Sequence, residues 1–331
     1  MAMKVCEVCR APASVMPCRR CIFPEPRTSD VVKSGRRQTR PSQPLLLEGK
    51  YRVGEEIGRG GMGTVFRALD VGLDREVAIK FLLPEIQHVP EMVERFRTEA
   101  RAMAAVKHSN VVQIYAQGRY GEADFLVTEL IEGQTMGQLL DTAAARKERL
   151  GLTRTLSLLD QAAAGLAAVH RAGVVHRDIK PGNIMIEHGS GRVVLMDFGI
   201  GHRPPDGATA RTLIPGGTPA YMAPEVVMGG TIVPRLEYLI DIYSFGVLTF
   251  EVFTGALPFT SENWITMLQD HLASPPPRPS TLRSELPPEI DDLVLRCLAK
   301  RPDERPQSMA AFRASLLPFM THNGVSNHAQ A

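Results

Sequence analysis

The sequence predicts an α+β fold, strands first and helices after, preceded by a small cysteine-bearing module. Two β-favouring runs, at 51–57 and 64–66, flank a glycine-rich turn, and a third at 76–80 follows a charged turn. Farther on the pattern becomes helical, first in the Ala- and Leu-rich stretch 152–172 and later in the apolar stretch 241–259. Four of the five cysteines lie within the first 21 residues, which sets that end apart from everything downstream.

The chain has 331 residues, of which 44% are hydrophobic, enough for a sizeable core in one large or two medium domains. A formal net charge of +2 leaves neither sign dominant, so neither nucleic acid nor a membrane surface is an expected partner. No apolar run reaches the roughly 18 to 20 residues needed to span a bilayer, and MAMKVCEVCR lacks an apolar signal region. A cytoplasmic protein is the expectation.

At the N-terminus, Cys6 and Cys9 form one CxxC pair and Cys18 and Cys21 a second, separated by a short spacer. Each pair can turn two sulfurs toward one point, and four thiolates at about 2.3 Å make a closed site suited to structural Zn2+. So short a segment cannot fold on buried apolar surface alone, so metal would have to supply roughly 10 kcal/mol or more. The expectation is a zinc-ribbon-like four-cysteine module over 1–22 that contacts a protein partner. A redox pair and a disordered tail with idle thiols are the alternatives. From 23 to 44 the chain turns to Pro, Ser, Thr and basic residues, with Arg36, Arg37 and Arg40 close together, which is linker chemistry. Cys297, inside the helical pattern LVLRCLAK, reads as a small core residue.

Ile57 opens the run IGRGGMGTVFRA, with Gly58, Gly60 and Gly63 in GxGxxG order. That pattern also occurs in dinucleotide folds, where a helix follows it. Here strands flank it and the third strand ends in Lys80, which suits a flap over phosphates whose glycines let backbone amides approach closely. The helical stretch 92–106 places Glu99 beside Phe96, Ala100 and Met103 at helical spacing, an inward-facing stripe rather than a solvated face. A β-type run at 125–133 follows.

The stretch HRDIKPGN, 176–183, restricts function most narrowly. Asp178, Lys180 two residues on and Asn183 three further fit a loop that must reach one hydroxyl, one phosphate and one metal. Asp197, in MDFG, follows another β-type run and suits a metal-binding acid on a segment able to pivot. Together with the glycine run and Lys80, these residues resemble the protein-kinase signature, and more narrowly the bacterial eukaryotic-like (Hanks-type) Ser/Thr protein kinases. The resemblance covers about 51–317.

It implies a bilobal protein-kinase fold, with a small antiparallel sheet plus one helix as N-lobe and a mainly helical C-lobe. The expected organisation is a four-cysteine module at 1–22, a linker at 23–44, a kinase domain at 45–319 and a polar tail at 320–331. Within the kinase domain the N-lobe takes 51–131 and the C-lobe 132–319. The implied reaction is transfer of the γ-phosphoryl group of Mg-ATP to Ser or Thr hydroxyls of proteins. In that resemblance Asp178 accepts or orients the hydroxyl proton, Lys180 steadies the transferring group, and Asn183 and Asp197 bind Mg2+, with Mn2+ as a substitute. Lys80 contacts the α- and β-phosphates, with Glu99 as its ion-pair partner. Ile57, the three glycines, Val65, Ala78, Met185 and the backbones of Glu129 and Ile131 contact the nucleotide, the run 125–133 is the last N-lobe strand and the hinge, and Thr128 is the gatekeeper. Lysine at 180 indicates the Ser/Thr class.

The stretch 199–225 is the implied activation segment. Arg177 would pair with a phosphate on Thr209 or Thr212, placed there by autophosphorylation, while Thr218 shapes the substrate pocket. Asp241 would hold the catalytic-loop backbone, and Arg305 would pair with Glu225. The rival reading is a pseudokinase-like scaffold that recruits partners through the four-cysteine module. Intact Lys80, Asp178, Asn183 and Asp197 speak against it. Dimerisation is left open.

Overall fold

Alternating burial from Tyr51 onward sets the first sheet: Tyr51 and Val53 point inward, Arg52 outward. In the computed structural model, which describes residues 45–60, 63–197, 219–229, 236–261 and 263–322, the described residues fall into two units. The cysteine module, the linker, and Thr209, Thr212 and Thr218 lie outside the described residues.

The first unit comprises residues 45–100 and 114–130. Its strands are β1 (Leu46–Leu47), β2 (Tyr51–Arg59), β3 (Gly63–Asp70), β4 (Arg75–Leu82), β5 (Ile114–Tyr120) and β6 (Ala123–Glu129). They form one antiparallel sheet in the order β1-β2-β3-β4-β6-β5. One face carries the core, in which Phe66 packs edge-on against Phe81 at 5.8 Å between centroids and Phe81 leans on Phe125 at 5.6 Å. The β3–β4 turn is shaped by Asp70, whose Oδ1 accepts the N–H groups of Gly72 and Leu73. A short α1 (Pro84–Gln87) precedes α2 (Pro90–Ala104), and Arg97 on α2 donates to Asp124 at the start of β6 at 2.7 and 2.9 Å.

The second unit holds residues 101–113 and the described residues from 131 onward. A small sheet, β7 (Gly133–Thr135), β8 (Ile184–Glu187) and β9 (Val193–Leu195), accompanies α3 (Met136–Ala145) and α4 (Leu152–Arg171). Thr135 and Gln138 cap α3 reciprocally. Next come α5 (Pro224–Met228), α6 (Tyr238–Thr254), α7 (Trp264–Ala273), α8 (Pro288–Cys297) and α9 (Met309–His322). Helix α6 is buried on nearly every face and stops at Gly255, which takes the left-handed conformation. It meets α8 so closely that a Cβ on Gly246 would lie 2.6 Å from the Cys297 Cβ. Burial pushes the Cys297 thiol up to about 12, so it is an inert core group. Among the described residues no helix is long and apolar enough to cross a membrane.

Within the run at 125–133 the strand ends at Glu129, and a short non-strand stretch leads on to Gly133. The run is thus divided between β6 and β7, and Gly133 pairs with Glu187, where a Cβ would collide with the carbonyl oxygen of Ile186. Helix α6 starts a turn earlier than the apolar run suggested, at Tyr238.

Candidate active site

In the first unit the register aligns Gly58 with Val65, Val65 with Lys80, and Ala78 with Thr128. Since side chains alternate across a sheet, Val65, Ala78, Lys80 and Thr128 share one face while Phe66, Ile79 and Phe81 occupy the core face. Ile57 is 45% exposed, and Val65, Lys80 and Glu129 are half-buried, as is Glu99 on α2. The glycines divide into two kinds. Among the described residues, added Cβ atoms at Gly58 and Gly60 would meet nothing, whereas one at Gly63 would collide with the Phe81 carbonyl oxygen. Packing among the described residues therefore explains Gly63 but not Gly58 or Gly60. At Gly58 and Gly60 the open space suits a group approaching the backbone from outside, as nucleotide phosphates do.

In the second unit, α4 ends at Arg171 and Gly173, with φ +73°, reverses the chain toward the loop that follows. His176 is fully buried there. Its Nδ1 accepts the Asp178 N–H at 3.3 Å, which assigns the proton to Nε2, and Nε2 donates to the Met196 carbonyl at 3.0 Å. Burial lowers its pKa, so the ring is held neutral and ties the backbone at Asp178 to the residue before Asp197. The Met196 N–H donates to the Asn183 carbonyl at 2.9 Å, a second tie between the same segments.

Asp178, Lys180 and Asn183 converge. The Asn183 amide nitrogen donates to the Asp178 backbone oxygen at 2.8 Å and to its Oδ2 at 2.7 Å, and Lys180 Nζ lies 2.9 Å from that same Oδ2. With its nitrogen spent on Asp178, the Asn183 amide has its oxygen left as a donor to a hard cation. Asp197, exposed at the end of β9, adds a carboxylate. Among the described residues no cluster of three His, Cys, Asp or Glu could hold a metal, but a magnesium site completed by phosphate and water needs no such cluster. The donor set fits magnesium.

Asp241 on α6 grips the loop from beneath. Its Oδ2 accepts the His176 N–H at 2.7 Å and a hydrogen bond from His170 Nε2 at 2.8 Å, and its Oδ1 accepts the Arg177 N–H at 2.7 Å. Burial alone would raise the Asp241 carboxyl, but the hydrogen bonds outweigh it and hold the carboxyl below its ordinary value. Arg177 and Asp197 both have positive φ, +60° and +50°, a conformation that a non-glycine residue adopts only when its surroundings impose it. Arg305 forks onto Glu225 at 2.7 and 2.8 Å, the scaffold pair anticipated from the sequence.

Two contacts had no counterpart in the sequence reading. The Tyr221 hydroxyl donates to Glu251 Oε2 at 2.5 Å, and Ser244 Oγ donates to the Tyr221 carbonyl at 2.7 Å, so the segment before α5 is pinned to α6. Burial raises the Glu251 carboxyl. The other contact joins Arg177 Nη2 to Glu237 Oε2 at 2.6 Å. Its one trace in the sequence is that Glu237 stands four residues before Asp241, on the same helix face.

The profile of the family described as protein kinase domain matches residues 51–317. The chain is 38% identical over 286 residues to the serine/threonine-protein kinase PknL of Mycobacterium tuberculosis, covering 86% of this chain and 69% of PknL. It is 36% identical over 277 residues to PknA of the same organism, covering 82% of this chain and 62% of PknA. The kinase-domain structure of M. tuberculosis PknI superposes with a TM-score of 0.65 at 24% identity, covering 83% of this chain and 98% of that one. This last likeness bears on the fold, an antiparallel-sheet lobe followed by a mainly helical lobe. Taken with the loop geometry at Asp178, these matches establish that the chain belongs to the protein kinase domain family and is a serine/threonine protein kinase of the bacterial Hanks type.

Proposed function

We propose that Asp178 takes or orients the proton of a substrate serine or threonine hydroxyl while Lys180 steadies the phosphoryl group in transfer. The observation that carries this reading is the convergence of Asn183 and Lys180 on Asp178 Oδ2, at 2.7 and 2.9 Å. Held from one side, the carboxylate cannot rotate freely, and Oδ1 is the oxygen it presents to a hydroxyl. The hydroxyl oxygen then bonds to phosphorus as the bond to the departing ADP oxygen breaks, and its proton passes toward Asp178. Asn183 and Asp197 would hold Mg2+, or Mn2+ in its place. When bound, such an ion neutralises charge on the phosphates. Lys80 would meet the α- and β-phosphates, with Glu99 keeping it extended. The nucleotide roles of Ile57, Gly58, Gly60, Gly63, Val65, Ala78, Met185, Glu129 and Ile131 rest on the family resemblance, supported at Gly58 and Gly60 by the open space beside them.

Replacing Asp178 by Asn is expected to lower transfer by about 10³-fold, the order of a positioned proton acceptor, while Mg-ATP still binds. Transfer at the wild-type rate would end the assignment.

The regulatory reading rests on sequence alone. Arg177 adjoins Asp178, and Thr209 and Thr212 lie in the segment that follows Asp197, so phosphate on either threonine is proposed to raise activity. Likewise the spacing of Cys6, Cys9, Cys18 and Cys21 supports structural zinc in a module that contacts a protein in the cytoplasm. One assay tests both: autophosphorylation sites mapped with and without a zinc chelator, alongside metal analysis. Full activity with neither threonine phosphorylated removes the first proposal, and protein lacking about one zinc per chain removes the second.

A further inference from the structure

Arg177 is gripped twice by one turn of α6. Asp241 accepts its backbone N–H at 2.7 Å, and Glu237, one turn earlier, accepts from its guanidinium at 2.6 Å. Both partners in the ion pair are largely withdrawn from water, the side chains being 18% and 10% exposed. The Glu237 carboxylate is not spent on capping its own helix. The residue stands at the N-cap of α6, where a side chain commonly accepts from the first free N–H groups, and it makes no such bond. Arg177 itself holds φ at +60°, and Asp178 follows it directly, so the conformation imposed at Arg177 sets the backbone from which the Asp178 side chain departs.

We propose that Glu237 is a positioning residue for phosphoryl transfer, supplying from within the fold the negative charge that holds Arg177 and, through it, the orientation of Asp178. The proposal rests on the reading of Asp178 given above. It deepens the regulatory reading of Arg177: a phosphate arriving on the chain would meet a guanidinium already engaged by Glu237. Protein stripped of phosphate therefore keeps an ordered catalytic loop.

The test uses the full chain, treated with phosphatase and assayed with Mg-ATP and a generic Ser/Thr protein substrate. For Glu237→Gln, which keeps shape and removes charge, kcat is expected to fall about tenfold while the KM for ATP stays within about twofold. Glu237→Asp should recover part of the loss. Sodium acetate should raise kcat of Glu237→Ala by about threefold or more, by occupying the vacated carboxylate position, and should leave Arg177→Met/Glu237→Ala unmoved. A Glu237→Gln kcat within about twofold of wild type overturns the proposal, as does equal acetate rescue of the double variant. A fall in kcat matched by a rise in KM and a lowered Tm also overturns it, because that pattern marks a merely structural residue. Asp178→Asn runs alongside. If that variant is inactive and Glu237→Gln is not impaired, only the Glu237 proposal fails; if it stays active, the Asp178 reading fails and this one with it.

Discussion

At the scale of single residues, three glycines of one motif answer to different physical demands. Gly63 is needed by the sheet itself, because its Cβ would drive into the Phe81 carbonyl. Gly63→Ala is expected to cost about 1–3 kcal/mol of stability, read as a lowered Tm. Gly58→Ala and Gly60→Ala face open space, so their Tm should stay near wild type while the KM for ATP rises about fivefold or more. A large Tm loss at Gly60 would contradict this division. His176 shows the same dependence on surroundings. Its neutral Nε2–H tautomer exists because Nδ1 is taken by the Asp178 N–H, a contact set by backbone geometry rather than by the imidazole's own chemistry.

Among the elements, α6 does most to shape the catalytic loop. Its apolar pattern announced a buried helix, and Asp241 within it announced a hydrogen-bonded acid. Three donors converge on that one carboxylate, from His170, His176 and Arg177. Asp241→Asn turns an acceptor into a donor against at least one of them. A loss of about 2–4 kcal/mol is expected, with kcat falling as the loop loosens. Denaturant unfolding measures the first and steady-state kinetics the second, and an unchanged midpoint would refute the assignment. The β-type run at 125–133 teaches the converse. A strand giving way to a hinge is legible there, but β6 pairs with β4 and β5 while β7 pairs with β8, and composition carries no information about which partner a residue finds.

For the molecule as a whole, acid sensitivity follows from buried histidines. Burial holds His271 at about 4, against an ordinary value of 6.5, in a setting where its Nδ1 meets the Tyr243 hydroxyl at 2.9 Å. Between those values the unfolded chain binds a proton that the folded chain refuses. The stability tied to His271 is complete above pH 6.5 and is lost as pH falls toward 4. Its size is about 3 kcal/mol, and His176, lowered by burial in the same direction, adds to the trend. Melting curves from pH 7 to pH 4 should therefore show a flatter decline in His271→Gln than in wild type. Equal slopes would contradict it.

The reaction class was legible in the chain alone, through the order and spacing of its motifs. Asp178, Lys180 and Asn183 lie within six positions, and so short a span of chain constrains its own geometry. Legible too was the alternation that puts Val65, Ala78 and Lys80 on one face of a sheet. What holds those residues in place emerges from packing alone. Asp241 meets the loop across 65 positions and Glu237 meets Arg177 across 60, and Gly63 is pressed against a strand set by register. Contacts of that range leave no periodic trace in the chain, because their partners are chosen by how helices and strands pack rather than by any local preference of the residues themselves.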